Sequence, residues 1–185
     1  MASSRPSERN PPSPPLLPPP LNPYSKISPY APKQTPAVDL FAAPSGPYFF
    51  YGTLTDPLMI GEILELDKEP KLRPAYIMGY ECKMWGQYPA LLNCPGSVVE
   101  GAAYHVHTTR DAERLAVYET GNYRAESYLI KYMDGKEPSE DLGYMFKFVR
   151  DQRELSEGDF DLKVWLRWMG RQAAVNKLEA AKSET

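Results

Sequence analysis

The sequence predicts a mixed α+β domain behind a proline-rich leader, and three observations carry that expectation. Fourteen of the twenty prolines fall in residues 1–47, whereas aromatic and aliphatic residues become dense from Pro47 onward. Strand-like runs outnumber helical ones and follow one another without a helix between each pair, which argues against a doubly wound parallel sheet. Two aromatic rows, Tyr128/Ile130/Tyr132 and Tyr144/Phe146/Phe148, alternate with period two like the strands of a hairpin.

The leader comes first. A run such as Pro11-Pro12-Ser13-Pro14-Pro15 has too few backbone donors for helix or sheet and is expected to stay extended and solvated. Residues 1–46 are therefore read as a disordered tail. The remaining chain, about 140 residues, fits one domain by size, set at 47–175 with a polar, fraying end at 176–185.

Within the domain, Pro47-Tyr48-Phe49-Phe50-Tyr51 is a buried strand that stops at Gly52. Asp56-Pro57 starts a helix, Asp as cap and Pro at its first position. Leu72 to Trp85 and Ala90 to Leu92 read as strands, the second after a Gly86–Pro89 loop. Cys94-Pro95-Gly96 reads as a further loop. Val98 to His107 is another strand, with Gly101 where a side chain would be unwelcome. A helix of about three turns opens at Thr108–Glu113. The hairpin Tyr123–Met133 and Leu142–Val149 turns at Asp134-Gly135 and Pro138. Ser156-Glu157-Gly158-Asp159 is a capping box ahead of a last helix bearing Phe160, Val164, Trp165, Trp168 and Met169. The order is β-α-β-β-β-α-β-β-α.

Composition narrows the function classes. The net charge is −3 with both signs interspersed, so no nucleic-acid face is expected. Two cysteines, Cys82 and Cys94, make no secreted-type disulfide framework and suit a reducing compartment. The first residues lack a signal peptide's apolar run, and no segment reaches the ~18 apolar residues of a membrane span. A cytoplasmic protein is the expectation. The dinucleotide, Walker, nucleophile-elbow and zinc-protease motifs are absent. His105 and His107 share one strand face, yet no third ligand follows at a metal-site spacing. Nothing marks a base beside Cys94 that would make it a nucleophile.

Four segments remain: Tyr51-Gly52-Thr53-Leu54, Tyr88-Pro89-Ala90-Leu91, Val99-Glu100-Gly101-Ala102-Ala103-Tyr104-His105-Val106, and Leu115 through Arg124. In this order they resemble the gamma-glutamylcyclotransferase-like family, including its plant avirulence-induced branch, over about residues 47–149. The resemblance implies a mixed β-barrel flanked by helices and an enzyme with no metal or cofactor. It implies a small gamma-glutamyl substrate whose own α-amine attacks the γ-carbonyl, releasing 5-oxoproline and an amine or amino acid. Such chemistry needs a near-attack geometry, one proton carrier, and donors for the carboxylate and oxyanion.

On this resemblance Glu119 is the general acid/base. A glutamate ending a helix opposes the helix dipole, which makes a purely structural role less favourable. Burial against Tyr118 and Tyr123 would raise its pKa toward neutrality. The substrate loop falls on Tyr51, Gly52, Thr53 and Leu54, with Thr55 beside them; backbone amides there would hold a carboxylate. Tyr88 and Tyr123 would wall the pocket. Asp56 would compete for the loop amides if it capped inward. The family has glycine after its glutamate, whereas here Thr120 stands there and Gly121 follows, so the turn is expected to shift register by one. The sequence leaves open a cyclotransferase, a catalytically silent member of the same fold, and an interaction protein working through its tail. In that tail Arg9, Pro12 and Pro15 share one polyproline face, the pattern an SH3-type groove takes.

Overall fold

The computed structural model describes residues 43–183. The expected tail, with its Arg9/Pro12/Pro15 face, lies outside the described residues but for its last four. Of those, Ala43 packs in the core and the Pro44 carbonyl accepts the Tyr48 hydroxyl at 2.8 Å.

Strand β1 (Gly46–Phe50) is buried on both faces, because period-two alternation sends its aromatics into two different layers. Phe49 enters the barrel lumen with Ile77, Leu91, Val99, Ile130 and Met145. Tyr48 and Phe50 face outward, under helices α1 (Pro57–Leu64) and α2 (Thr109–Glu119), against Ile60, Leu64 and Leu115. Strands β2 (Arg73–Trp85), β3 (Tyr88–Val106), β4 (Tyr123–Tyr132) and β5 (Glu140–Phe148) complete a closed barrel in the order β1-β3-β2-β4-β5. Neighbours are antiparallel except β1 and β5, which run parallel, so the barrel is mixed and the domain α+β, as expected. Gly101 is where a side chain is excluded: a Cβ there would lie 2.1 Å from the Phe50 carbonyl oxygen. The two aromatic rows predicted for the hairpin sit on opposite faces, Tyr128 and Ile130 in the lumen, Tyr144 and Phe146 under the helices.

Several expected elements are corrected. The two strands at 90–92 and 98–107 are one 19-residue strand, β3, which begins at Tyr88. Tyr88 and Pro89 therefore belong to the strand, and only Gly86 and Gln87 turn, between paired Trp85 and Tyr88. Cys94, Pro95 and Gly96 are not a separate loop. The ladder passes from Tyr80↔Asn93 to Met78↔Val98, so these residues bulge opposite Gly79 without ending the strand, a place where Pro and Gly are tolerated. Helix α3 (Leu162–Trp168) starts at Asp161, whose carboxylate accepts from the Val164 amide at 3.0 Å, and not at the Ser156 box. Ser156 instead exchanges two 2.9 Å backbone bonds with Met84. The end expected to fray forms α4 (Gln172–Ser183) after a break at Gly170, with Ala174 and Val175 buried. Glu179 pairs with Lys163 at 2.6 Å and Arg167 at 3.0 Å, and Lys177 pairs with Glu69. Among the described residues no helix is long and apolar enough to cross a membrane.

Candidate active site

The chain leaves β1 at Phe50 and turns through a short 3-10 segment, Thr53–Thr55, before α1. The first bonds of this turn come from Thr55 N–H to Gly52 O (3.0 Å) and Asp56 N–H to Thr53 O (3.2 Å). The amides of Gly52, Thr53 and Leu54 precede them and have no partner within the turn, as at any helix start. Leu54 is buried and anchors the turn, while Thr53 Oγ1 lies 2.8 Å from the Tyr118 hydroxyl. Gly52 lets Pro89 approach closely, since a Cβ there would sit 2.7 Å from the proline Cγ. Asp56 does not compete for these amides. Its Oδ1 caps α1 by accepting from Leu58 N–H at 3.2 Å.

Helix α2 packs on β1 through Ala112 and Leu115, which brings its last residue, Glu119, beside the turn. Among the described residues the Glu119 carboxylate has no hydrogen bond or ion pair. Burial pushes its pKa up to about 7. Three phenols stand around it. Tyr51 donates to Phe146 O at 2.6 Å and Tyr123 to Pro89 O at 3.1 Å. Burial first, and the Glu119 charge after it, raise the pKa of both. Tyr118 is raised by burial, partly offset by its bond to Thr53.

The turn after Glu119 does not shift register. Thr120 itself takes φ 63° and ψ −178°, and Gly121 is not among the residues with positive φ. That backbone region is almost reserved for glycine, and a β-branched residue in it is strained. Thr120 Oγ1 accepts from the Asn122 side-chain amide at 2.8 Å and from its backbone N–H at 3.3 Å, which braces the strained turn.

These elements enclose a cavity of about 200 Å³. Of the residues expected to form the site, Tyr51, Gly52, Thr53, Leu54, Tyr88, Glu119 and Tyr123 all line it. Thr55 does not, because its hydroxyl turns back to Gly52 O at 2.6 Å. Tyr118, expected to bury Glu119, lines the cavity too, whereas Trp85 and Asn122 also line it and were not anticipated. Trp85 could have been read from its place immediately before the Gly86-Gln87-Tyr88 segment. Among the described residues no Lys, Arg or His lines the cavity. His105 and His107 lie 5.1 Å apart outside it, and no three metal-ligating side chains cluster among the described residues. What the cavity offers is a carboxyl poised near neutrality, the Gly52–Leu54 turn and aromatic walls.

The sequence model of the family described as gamma-glutamyl cyclotransferase, AIG2-like, matches residues 48–162. The solution structure of At5g39720.1 from Arabidopsis thaliana is similar with a TM-score of 0.51 at 19% identity, covering 76% of this chain and 93% of that one. That of At3g28950.1, from the same plant, has a TM-score of 0.51 at 20% identity, covering 74% and 81%. These two likenesses concern the fold. No curated protein is significantly similar to the chain. The chain belongs to the gamma-glutamyl cyclotransferase, AIG2-like family.

Proposed function

We propose that the protein is a gamma-glutamyl cyclotransferase with Glu119 as its acid/base. The observation that carries this is the Glu119 carboxyl: partnerless among the described residues, held near pH 7, and set in the cavity opposite the Gly52–Leu54 amides. A carboxyl with a pKa near the working pH can both take and return a proton. Ionised Glu119 would remove a proton from the substrate's α-ammonium. The freed amine attacks the γ-carbonyl carbon, and the tetrahedral intermediate collapses as Glu119 protonates the leaving nitrogen and takes the second proton from the ring nitrogen, which then passes to the released amine. One C–N bond forms and one breaks, giving 5-oxoproline and a free amine. The amides of Gly52, Thr53 and Leu54 hold the α-carboxylate, a task for which the lining supplies no cation. Tyr51 and Tyr123 have their hydroxyls committed to carbonyls and wall the cavity beside Glu119.

The test is 5-oxoproline release from a panel of gamma-glutamyl amides and amino acids. Glu119→Gln is expected to lower turnover at least about a hundredfold, the usual share of an acid/base group. A variant keeping a tenth of the wild-type rate would place the proton transfer elsewhere.

A further inference from the structure

We propose that the mouth of this cavity is a subsite for an uncharged aromatic amine as leaving group, a deepening that rests on the cyclotransferase reading. Trp85 and Tyr88 face one another as a registered pair across the Gly86–Gln87 turn, and both line the cavity while remaining partly exposed. Aromatic faces left open to a cavity favour a planar partner. The Trp85 ring is also fixed in advance. Its Nε1–H donates to Glu154 Oε2 at 3.0 Å, and Tyr123 and Phe148 back it with centroids at 6.5 and 5.6 Å. The two Met84–Ser156 bonds hold the segment that carries Glu154 against β2. A ring already immobilised loses little freedom on binding, so more of the stacking reaches the affinity.

Charge narrows the class. A leaving amino acid would bring a carboxylate into a wall that, among the described residues, contains no cation. A basic group bonded to that wall is Arg150, on Asn122 Oδ1 at 3.5 Å, and its Nε lies 4.0 Å from Glu154 Oε1. Arg150 and Glu154 offset one another at this edge of the cavity. An uncharged aromatic substituent on the amide nitrogen fits a wall without a cation. The balance is unchanged: the conjugate splits into 5-oxoproline and the arylalkyl amine, with no co-reactant.

The experiment measures kcat/KM of the full chain on gamma-glutamyl phenethylamide, hexylamide, alanine and ε-lysine conjugates, with binding of the same compounds to Glu119→Gln by calorimetry. The phenethylamide is expected to exceed the hexylamide at least about tenfold, through stacking and added ring burial, and the two charged conjugates by more. Trp85→Ala should bring the phenethyl-to-hexyl ratio within about twofold, while Trp85→Phe, which keeps an aromatic face, should retain most of it. Release of 5-oxoproline without aromatic preference overturns the subsite and leaves the cyclotransferase reading standing. Aromatic-selective binding without release does the reverse. Neither selectivity nor release overturns both.

Discussion

At the scale of single residues, two positions next to each other carry opposite kinds of cost. Glu119 has a folded pKa of about 7 against an ordinary value of 4.5, raised by burial. The folded protein therefore binds more protons than the unfolded chain between those values, and stability falls as pH rises through that window. Glu119→Gln removes the penalty, so its melting temperature should exceed that of the wild type at pH 8 and converge with it at pH 4. A constant difference across that range would mean that the carboxyl is not desolvated. The same group predicts that kcat/KM climbs with pH up to about 7 and that the limb is absent in the variant. Thr120 carries a conformational cost, of order 1–3 kcal/mol for a non-glycine residue in this region. Glycine would relieve it, at about 1 kcal/mol of unfolded-chain entropy and one weak exposed hydrogen bond. Thr120→Gly is expected to stabilise by about 1 kcal/mol in urea unfolding, and a destabilised variant would show that the Asn122 bonds outweigh the strain. The place of Glu119 in the cavity was legible in the sequence because the glutamate and its neighbours stand in a recognisable order. The conformation of Thr120 was not, since nothing local distinguishes a threonine that takes φ 63° from a glycine that takes it one residue later.

At the scale of elements, legibility followed the range of the forces involved. Helices α1 and α2 were readable because Asp56 and Thr108 bond amides only two and three residues away. The β4–β5 hairpin was readable because its alternation and turn are also local. Strand β3 was divided in the expectation because Pro95 and Gly96 are punctuation by any local rule, and only the ladder with β2 across Gly79 makes them part of a strand. The start of α3 was misplaced for a similar reason: Ser156 is engaged by Met84, far away in sequence. The α3–α4 pair lies almost wholly beyond the residues that the family model matches, yet Leu166, Trp165 and Val175 bury against Met59 of α1, with Tyr118 packed beside them. That layer supports the Tyr118–Thr53 contact from behind. Leu166→Ala, at a fully buried position, should cost about 2–5 kcal/mol of stability in urea unfolding. A loss below 1 kcal/mol would show that the helical pair is an appendage.

At the scale of the whole molecule, the barrel is two sheets joined along two short seams. Strands β1, β3 and β2 form one sheet and β4 with β5 the other. Only Tyr48↔Tyr144 and Phe49↔Met145 register across the first seam, and Ala75↔Tyr132 and Tyr76↔Lys131 across the second. Toward Trp85 and Tyr123 the second seam is bridged by side chains, and the cavity sits there, touching Trp85 on one sheet and Tyr123 on the other. A molecule bound in it straddles the joint. Brief separation of the sheets would dismantle the pocket, so occupancy and closure are thermodynamically linked, and ligand should suppress such opening by RT ln(1 + [L]/Kd). In hydrogen–deuterium exchange the amide of Met133, which donates to Pro74 O across the second seam at 2.9 Å, should therefore slow as ligand is added, more than those within the long β2–β3 ladder. On this reading, loading the site would require the sheets to breathe apart, and a bound molecule would fasten them.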